Sequence, residues 1–361
     1  MGYPVAKDFD IEELLPFFKY PLNNLGDPFV DSTYAVNSNE MEREVIEQFA
    51  DLFQAPKNDW WGYVTNGGSE GNLYSLYLAR EKYPNGIVYY SNSTHYSIRK
   101  NLHVLGIQCI AIRTQVNGEM DYKDLHQTIA QHRNLPVIVV ANIGTTMTEA
   151  VDDVTIIKSI LNDLAIQQHY IHCDGALGAI INAFSEKNKI GFHLGIDSIT
   201  LSGHKFIGSP IPCGVVVVKK ANRDRIAMSI SYTGSLDTTI TGSRNGHSPI
   251  ILWYALQKWG KDGLEKRVHK CLTTADYAMQ SFKKNGIPCW KNEGAITIVI
   301  PPQPQEVQQK WQLATEEKMS HIICMPNVTF EQIDKLALDI VERGNNEFPI
   351  EHELNLQLQS H

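Results

Sequence analysis

Paired cysteines are missing from this chain. Its 361 residues hold six cysteines, Cys109, Cys173, Cys213, Cys271, Cys289 and Cys324, with no C-x-x-C pair and no zinc-finger spacing. They read as reduced thiols, which excludes a disulfide-stapled secreted fold and fits the cytosol. Basic charge is also short: 32 Lys and Arg stand against 40 Asp and Glu, for a net charge of −8. That argues against a nucleic-acid partner, which wants a basic face. No apolar run is long enough to cross a bilayer, so no membrane role is expected. The first residues, Met1 to Asp8, lack the apolar core of a signal peptide, and a cytoplasmic location is expected. The nucleotide signatures G-x-G-x-x-G and Walker A are absent. After Cys271 only one arginine remains, Arg343.

What is present is ordinary for a folded protein: 43% hydrophobic and 20% charged residues, enough for a sizeable core. Short β-branched runs at 87–90, 110–113, 137–141, 170–173, 198–201 and 215–218 read as buried strands. Helix-period stretches at 70–82, 121–132 and 154–164 separate several of them. This alternation predicts an α/β fold with a largely parallel sheet covered on both faces. Beyond residue 260 the pattern changes to a helix at 263–284, a strand at 295–300 and a helix at 330–343. We therefore expect an N-terminal segment (1–45), a large domain (46–260) and a smaller α+β domain (261–361).

The chemistry-bearing residues sit where strands end, the place for ligands in such sheets. Lys205, in S-G-H-K, follows the strand at 198–201; a desolvated lysine is an amine nucleophile able to form a Schiff base with an aldehyde, although a surface lysine would read the same. Asp174, in H-C-D-G-A, ends the strand at 170–173; it can pair with a protonated pyridine nitrogen or simply cap the next helix. In T-N-G-G-S-E-G-N, Gly68 and Ser69 open a helix whose N-terminus suits an anion, or form a plain turn. His95, in S-T-H-Y-S, can stack on a ring or be structural. Thr145, in N-I-G-T-T, can bond a ring's polar edge or belong to an ordinary strand-to-loop turn.

Together these motifs, with S-G-H-K-F-I-G-S-P-I-P-C-G and G-S-R-N-G, resemble the group II decarboxylases that depend on pyridoxal 5'-phosphate (PLP). The chain is most similar to their histidine and serine decarboxylase branch, from about Gly2 to about Arg343. The resemblance implies the PLP-dependent transferase fold of the aspartate-aminotransferase type (fold type I), and a homodimer with sites at the subunit interface. It implies that Lys205 is the Schiff-base lysine and Asp174 the partner of the pyridine nitrogen. His95 would stack on the ring, with Ala176 on its other face. Gly68, Ser69, Ser202 and His204 would hold the phosphate, and Thr145 and Asp152 would flank the ring and its histidine neighbour.

PLP can drive several reactions, so the protein selects the bond that breaks. An aminotransferase clamps the substrate carboxylate with an arginine of its C-terminal domain. Here Arg343 is the lone candidate there, with Arg244 elsewhere, and an unclamped carboxylate in a dry pocket favours loss of CO₂. Tyr232, in a Ser-Gly-Thr-rich stretch that reads as a mobile loop, is the candidate proton donor to Cα, or a plain loop tyrosine. The expected reaction is decarboxylation of L-histidine, with L-serine as the alternative. The segment 20–29 is expected to line the substrate side. Remoter readings are another fold type I enzyme, such as a cysteine desulfurase or carbon–carbon lyase, or a non-catalytic PLP-binding homologue.

Overall fold

The computed structural model describes residues 1–185, 190–230, 234–316 and 318–348. In chain order its first elements are α1 (Asn39–Leu52), β1 (Trp60–Thr65), α2 (Gly68–Lys82), β2 (Ile87–Ser91), α3 (Tyr96–Leu105) and β3 (Cys109–Ile112). There follow α4 (Tyr122–Gln131), β4 (Val137–Asn142), α5 (Val154–Asp163), β5 (His169–Asp174), β6 (Ser198–Ser202) and β7 (Gly214–Lys219). The strands form one seven-stranded sheet in the order β1-β7-β6-β5-β4-β2-β3. Strands β2 to β6 are parallel, and β7 alone runs against its neighbours.

Side chains alternate across each strand, and here the alternation builds two cores. Tyr89, Val139, Ile171, Ile199 and Val217 face one side, with Phe49 of α1, Leu125 of α4 and Ile157 of α5. Val88, Ile138, Tyr170 and Val216 face the other, with Leu76 of α2 and Ile98 of α3. Burial of each such side chain contributes about 1.5–3 kcal/mol. A sheet clothed on both faces exposes only its edges, which is what leaves the strand ends free for a site.

All six expected strands occur within a residue or two of their expected bounds, but the sheet has a seventh, β1. Its W-W-G-Y-V-T run carries Gly62, which weakens a strand signal. The structure explains that glycine: a Cβ there would run into the Val216 carbonyl oxygen of β7.

The remaining main elements are α6 (His247–Lys284), β8 (Thr297–Ile300), β9 (Ala314–Glu316), β10 (Met319–Ile323) and α7 (Phe330–Arg343). The three strands form a separate antiparallel sheet in the order β8-β10-β9. The helix expected from 263 starts earlier, at His247, with Pro249 in its first turn, where its missing N–H does no harm. It bends at Gly260, whose φ of 59° is non-helical. The helix α7 starts where expected, because Thr329 and Gln332 form a reciprocal capping box.

Candidate active site

Because β2, β4, β5 and β6 point the same way, their carboxyl ends open on one edge of the sheet. His95 follows β2, Thr145 follows β4, Asp174 ends β5 and Lys205 follows β6. All of them line one cavity of about 250 Å³, together with Asn142 and Ala176. The opposite wall comes from Gly2, Tyr3 and Pro4, from Thr297 of β8, and from Ala314, His321 and Ile323 of the small sheet. A wider groove of about 890 Å³ shares His95, Thr145 and Thr146 with this cavity.

Lys205 is half-buried, and burial holds its amine below the usual lysine range, with the negative charge of Asp174 opposing. Its backbone carbonyl accepts from the Ala6 N–H at 3.0 Å. Asp174 is 6% exposed, and its carboxylate accepts from Asn72 Nδ2 at 2.8 Å and from the Ala176 N–H at 3.2 Å. His95 caps α3: its Nδ1 accepts from the Ser97 N–H at 3.3 Å. Burial lowers its pKa, again with Asp174 opposing. The imidazole is thus neutral, with its proton on Nε2.

At the start of α2, the backbone of Gly68 lies against Ser202: a Cβ on Gly68 would stand 2.7 Å from Ser202 Oγ and 3.6 Å from the Ala176 Cβ. Gly67, at φ +146°, has His204 beside it. Ser69 is fixed through its carbonyl, which accepts from Asn101 Nδ2 at 2.8 Å. His204 Nδ1 lies 2.9 Å from the Cys213 carbonyl oxygen, and burial lowers its pKa. Gly68, Ser69, Ser202 and His204 therefore meet at one helix N-terminus, rich in backbone N–H groups and favourable to anions.

Known proteins resemble this chain in sequence and in fold. The family profile described as the pyridoxal-dependent decarboxylase conserved domain matches residues 24–289. The chain belongs to this family. This decarboxylase is 46% identical to a histidine decarboxylase of Mesorhizobium japonicum over 345 residues, 95% of this chain and 93% of that one. It is 43% identical to serine decarboxylase 2 of Oryza sativa subsp. japonica, over 95% of this chain and 74% of that one. Among solved structures, the L-methionine decarboxylase of Streptomyces sp. 590 superposes with a TM-score of 0.86 at 25% identity, over 94% of this chain and 91% of that one. The decarboxylase is a PLP-dependent carboxy-lyase of the histidine and serine decarboxylase branch, with the fold of aspartate-aminotransferase type.

Several expected residues stand differently in the decarboxylase than their motifs suggested. Asp152 is not on the cavity wall. It is fully buried behind Asn142, accepting from the Asn142 N–H and Nδ2 and from the Met120 N–H at 2.7–2.8 Å. Its role is to hold the residue that does line the cavity; burial raises its pKa to about 6. Thr145 lines the cavity, but its Oγ1 already accepts from the Ala150 N–H at 3.0 Å and meets Thr148 Oγ1 at 2.9 Å. Tyr232 lies outside the described residues.

Arg244 is buried in an ion pair with Glu42 and donates to the Gly26 carbonyl at 3.0 Å, while Arg343 is exposed on α7. Cys213, the thiol a desulfurase reading would need, is buried just before β7, and burial pushes it up to about 11. Within the chain, the segment at 2–4, not 20–29, lines the cavity. Sequence reasoning also missed Thr297 and His321. His321 is 1% exposed, with Nε2 2.9 Å from the Gly2 carbonyl and Nδ1 3.2 Å from the Met147 carbonyl. Its only sequence signal is a histidine beside Ser320 in a strand that ends Ile-Ile.

Proposed function

We propose that this decarboxylase converts L-histidine to histamine and CO₂ at the cavity around Lys205 and Asp174. The observation that carries the substrate is the 46% identity to the Mesorhizobium japonicum histidine decarboxylase over nearly the whole chain. L-Serine, giving ethanolamine, is the second reading, supported by the 43% identity to the rice serine decarboxylase. The test is to supply each amino acid and to measure histamine, ethanolamine and released CO₂. Ethanolamine without histamine overturns the first reading.

In this reading Lys205 would hold the cofactor through Nζ and Asp174 would pair with its ring nitrogen. His95 and Ala176 would pack on the ring, with Thr145 beside it, and Gly68, Ser69, Ser202 and His204 would hold the phosphate. The fit is supported by the start of α2, where a Cβ at Gly68 would stand 2.7 Å from Ser202 Oγ. When bound, the cofactor supplies an electron sink for the pair left as the carboxylate departs. Lys205, its amine lowered by burial, gives up a proton at Nζ more readily than a surface lysine. Asp174, as an acceptor, would favour a proton on the ring nitrogen. His95 presents its Nε2–H to the site. Among the described residues no arginine lines the cavity, so the substrate carboxylate meets no bidentate cation there. The Cα proton is assigned to the Tyr232 phenol.

We also propose a cytoplasmic homodimer with its sites at the subunit interface. The six free thiols support a reducing compartment, and no described helix is long and apolar enough to cross a membrane. Tyr96, 73% exposed in the groove beside His95, supports a partner surface there. Sedimentation velocity checks the assembly state; a monomer at working concentration overturns it.

A further inference from the structure

Asp174 is anchored from outside its own strand. The Asn72 Nδ2 on α2 donates to Asp174 Oδ2 at 2.8 Å. The Asn72 Oδ1 lies 2.9 Å from His172 Nε2, and His172 Nδ1 lies 2.9 Å from Ser198 Oγ on β6. Asn72, His172 and Ser198 are each 1% exposed or less, so water does not compete for these bonds. Their directions are forced. An ionised carboxylate only accepts, so Asn72 turns its NH₂ group toward Asp174 and its carbonyl toward His172. That carbonyl requires a donor, which puts the His172 proton on Nε2. The lone pair left on Nδ1 then takes the Ser198 hydroxyl proton. Burial pushes His172 down to about 4, so the ring is neutral and has a single proton to place.

Every dipole in this chain points its positive end at Asp174, and aligned buried hydrogen bonds reinforce one another. Building on the cofactor placement proposed above, we infer that Asn72 and His172 are positioning residues that hold the Asp174 carboxylate in one orientation toward the cofactor's ring nitrogen. Neither residue lines the cavity, so both act through Asp174. The titratable groups facing Asp174 are His172 and Cys173 on its own strand, His95 from the turn before α3 and Lys205 after β6. Of these, His172 alone is tied to it through Asn72.

The test uses purified holoenzyme of the parent and of D174A, N72L, H172Q and H172L. Three quantities are read: the PLP dissociation constant, the pH midpoint of the bound cofactor's absorbance change, and kcat with KM. N72L is expected to weaken PLP binding by about 10- to 100-fold, the worth of a hydrogen bond to a charged group. It should shift the midpoint in the same direction as D174A, and lower kcat more than it changes KM. H172Q keeps an N–H near the Nε2 position and should stay within about threefold of the parent, while H172L follows N72L. The inference is overturned if N72L and H172L keep the parent's affinity and midpoint while D174A loses both. D174A behaving as the parent overturns the cofactor placement itself, and the inference with it. Should H172L fail to fold, S198A decides: removing the hydroxyl frees the His172 tautomer and should shift the midpoint the same way by a smaller amount, and an unmoved midpoint overturns the inference.

Discussion

The two walls of the cavity are built by different means. One is made at the ends of neighbouring parallel strands, where His95, Thr145, Asp174 and Lys205 each follow or end an apolar run. The other is gathered from Gly2 to Pro4, Thr297, Ala314, His321 and Ile323, which lie far apart in the chain. The first wall carries the titratable groups that chemistry needs. The second is mostly apolar, with Tyr3 and His321 as its ionisable side chains among the described lining residues. Sheet topology fixes the first wall, and the packing of the small sheet and of residues 2–4 fixes the second.

The sharpest test of this division is Lys205→Ala. It should cost at least about 10³-fold in kcat/KM, as removal of a covalent catalytic group does, and abolish the absorbance of lysine-bound cofactor. His321→Leu attacks the other wall. It removes the contacts to the Gly2 and Met147 carbonyls and should destabilise the fold by about 1–3 kcal/mol. The corresponding kinetic expectation is a KM raised about tenfold with kcat within about threefold of the parent. A His321 variant that loses kcat as Lys205→Ala does would break the division.

Glu149 joins the walls. It is 4% exposed at φ +53° and accepts from the Ile296 N–H at 3.1 Å and from Thr297 Oγ1 at 2.5 Å. Burial raises its pKa to about 7 from an ordinary 4.5. The folded state therefore holds this proton more tightly than the unfolded chain. The stability it contributes is full below about 4.5 and is lost as pH rises through about 7, an amount on the order of 3 kcal/mol. Glu149→Gln can still accept both hydrogen bonds. Its melting temperature should match the parent's near pH 5 and fall less toward pH 8; parallel curves would refute the coupling. The smallest expected effect is at the exposed Arg343: R343Q should leave kcat/KM within about twofold and stability within about 0.5 kcal/mol. A large loss of activity would mean that an arginine clamp operates after all.

The difference between the walls also explains what could be read in advance. A strand end carrying a polar or glycine residue announces itself, because local periodicity places it and parallel topology brings such ends together. That was enough for the mainly parallel sheet and for the place of Lys205, Asp174, His95 and the α2 turn beside the strand ends. It failed for Asp152, because a carboxylate behind the wall and one on it look alike until their partners are known. Thr145 shows the same limit: its motif locates it, but only the Ala150 and Thr148 contacts show that its hydroxyl is engaged within its own loop. His321 and Gly2 meet only in the folded chain, and no local pattern links them.

The helix α6 acts as a beam between two supports. Its first half is tied to α1, where Trp253 and Gln257 donate to Glu44, and its second half to α7, where Tyr277 and Ser281 donate to Asp334. Gly260, at its left-handed φ, is the elbow of that beam. A small rotation there would be magnified along the second half, which packs against β8, and would shift the Thr297 wall relative to Lys205. The breadth of amino acid admitted could then drift through a single backbone pivot while every residue in contact with it stayed the same. Comparing pocket residues alone would overlook that route from one specificity to another.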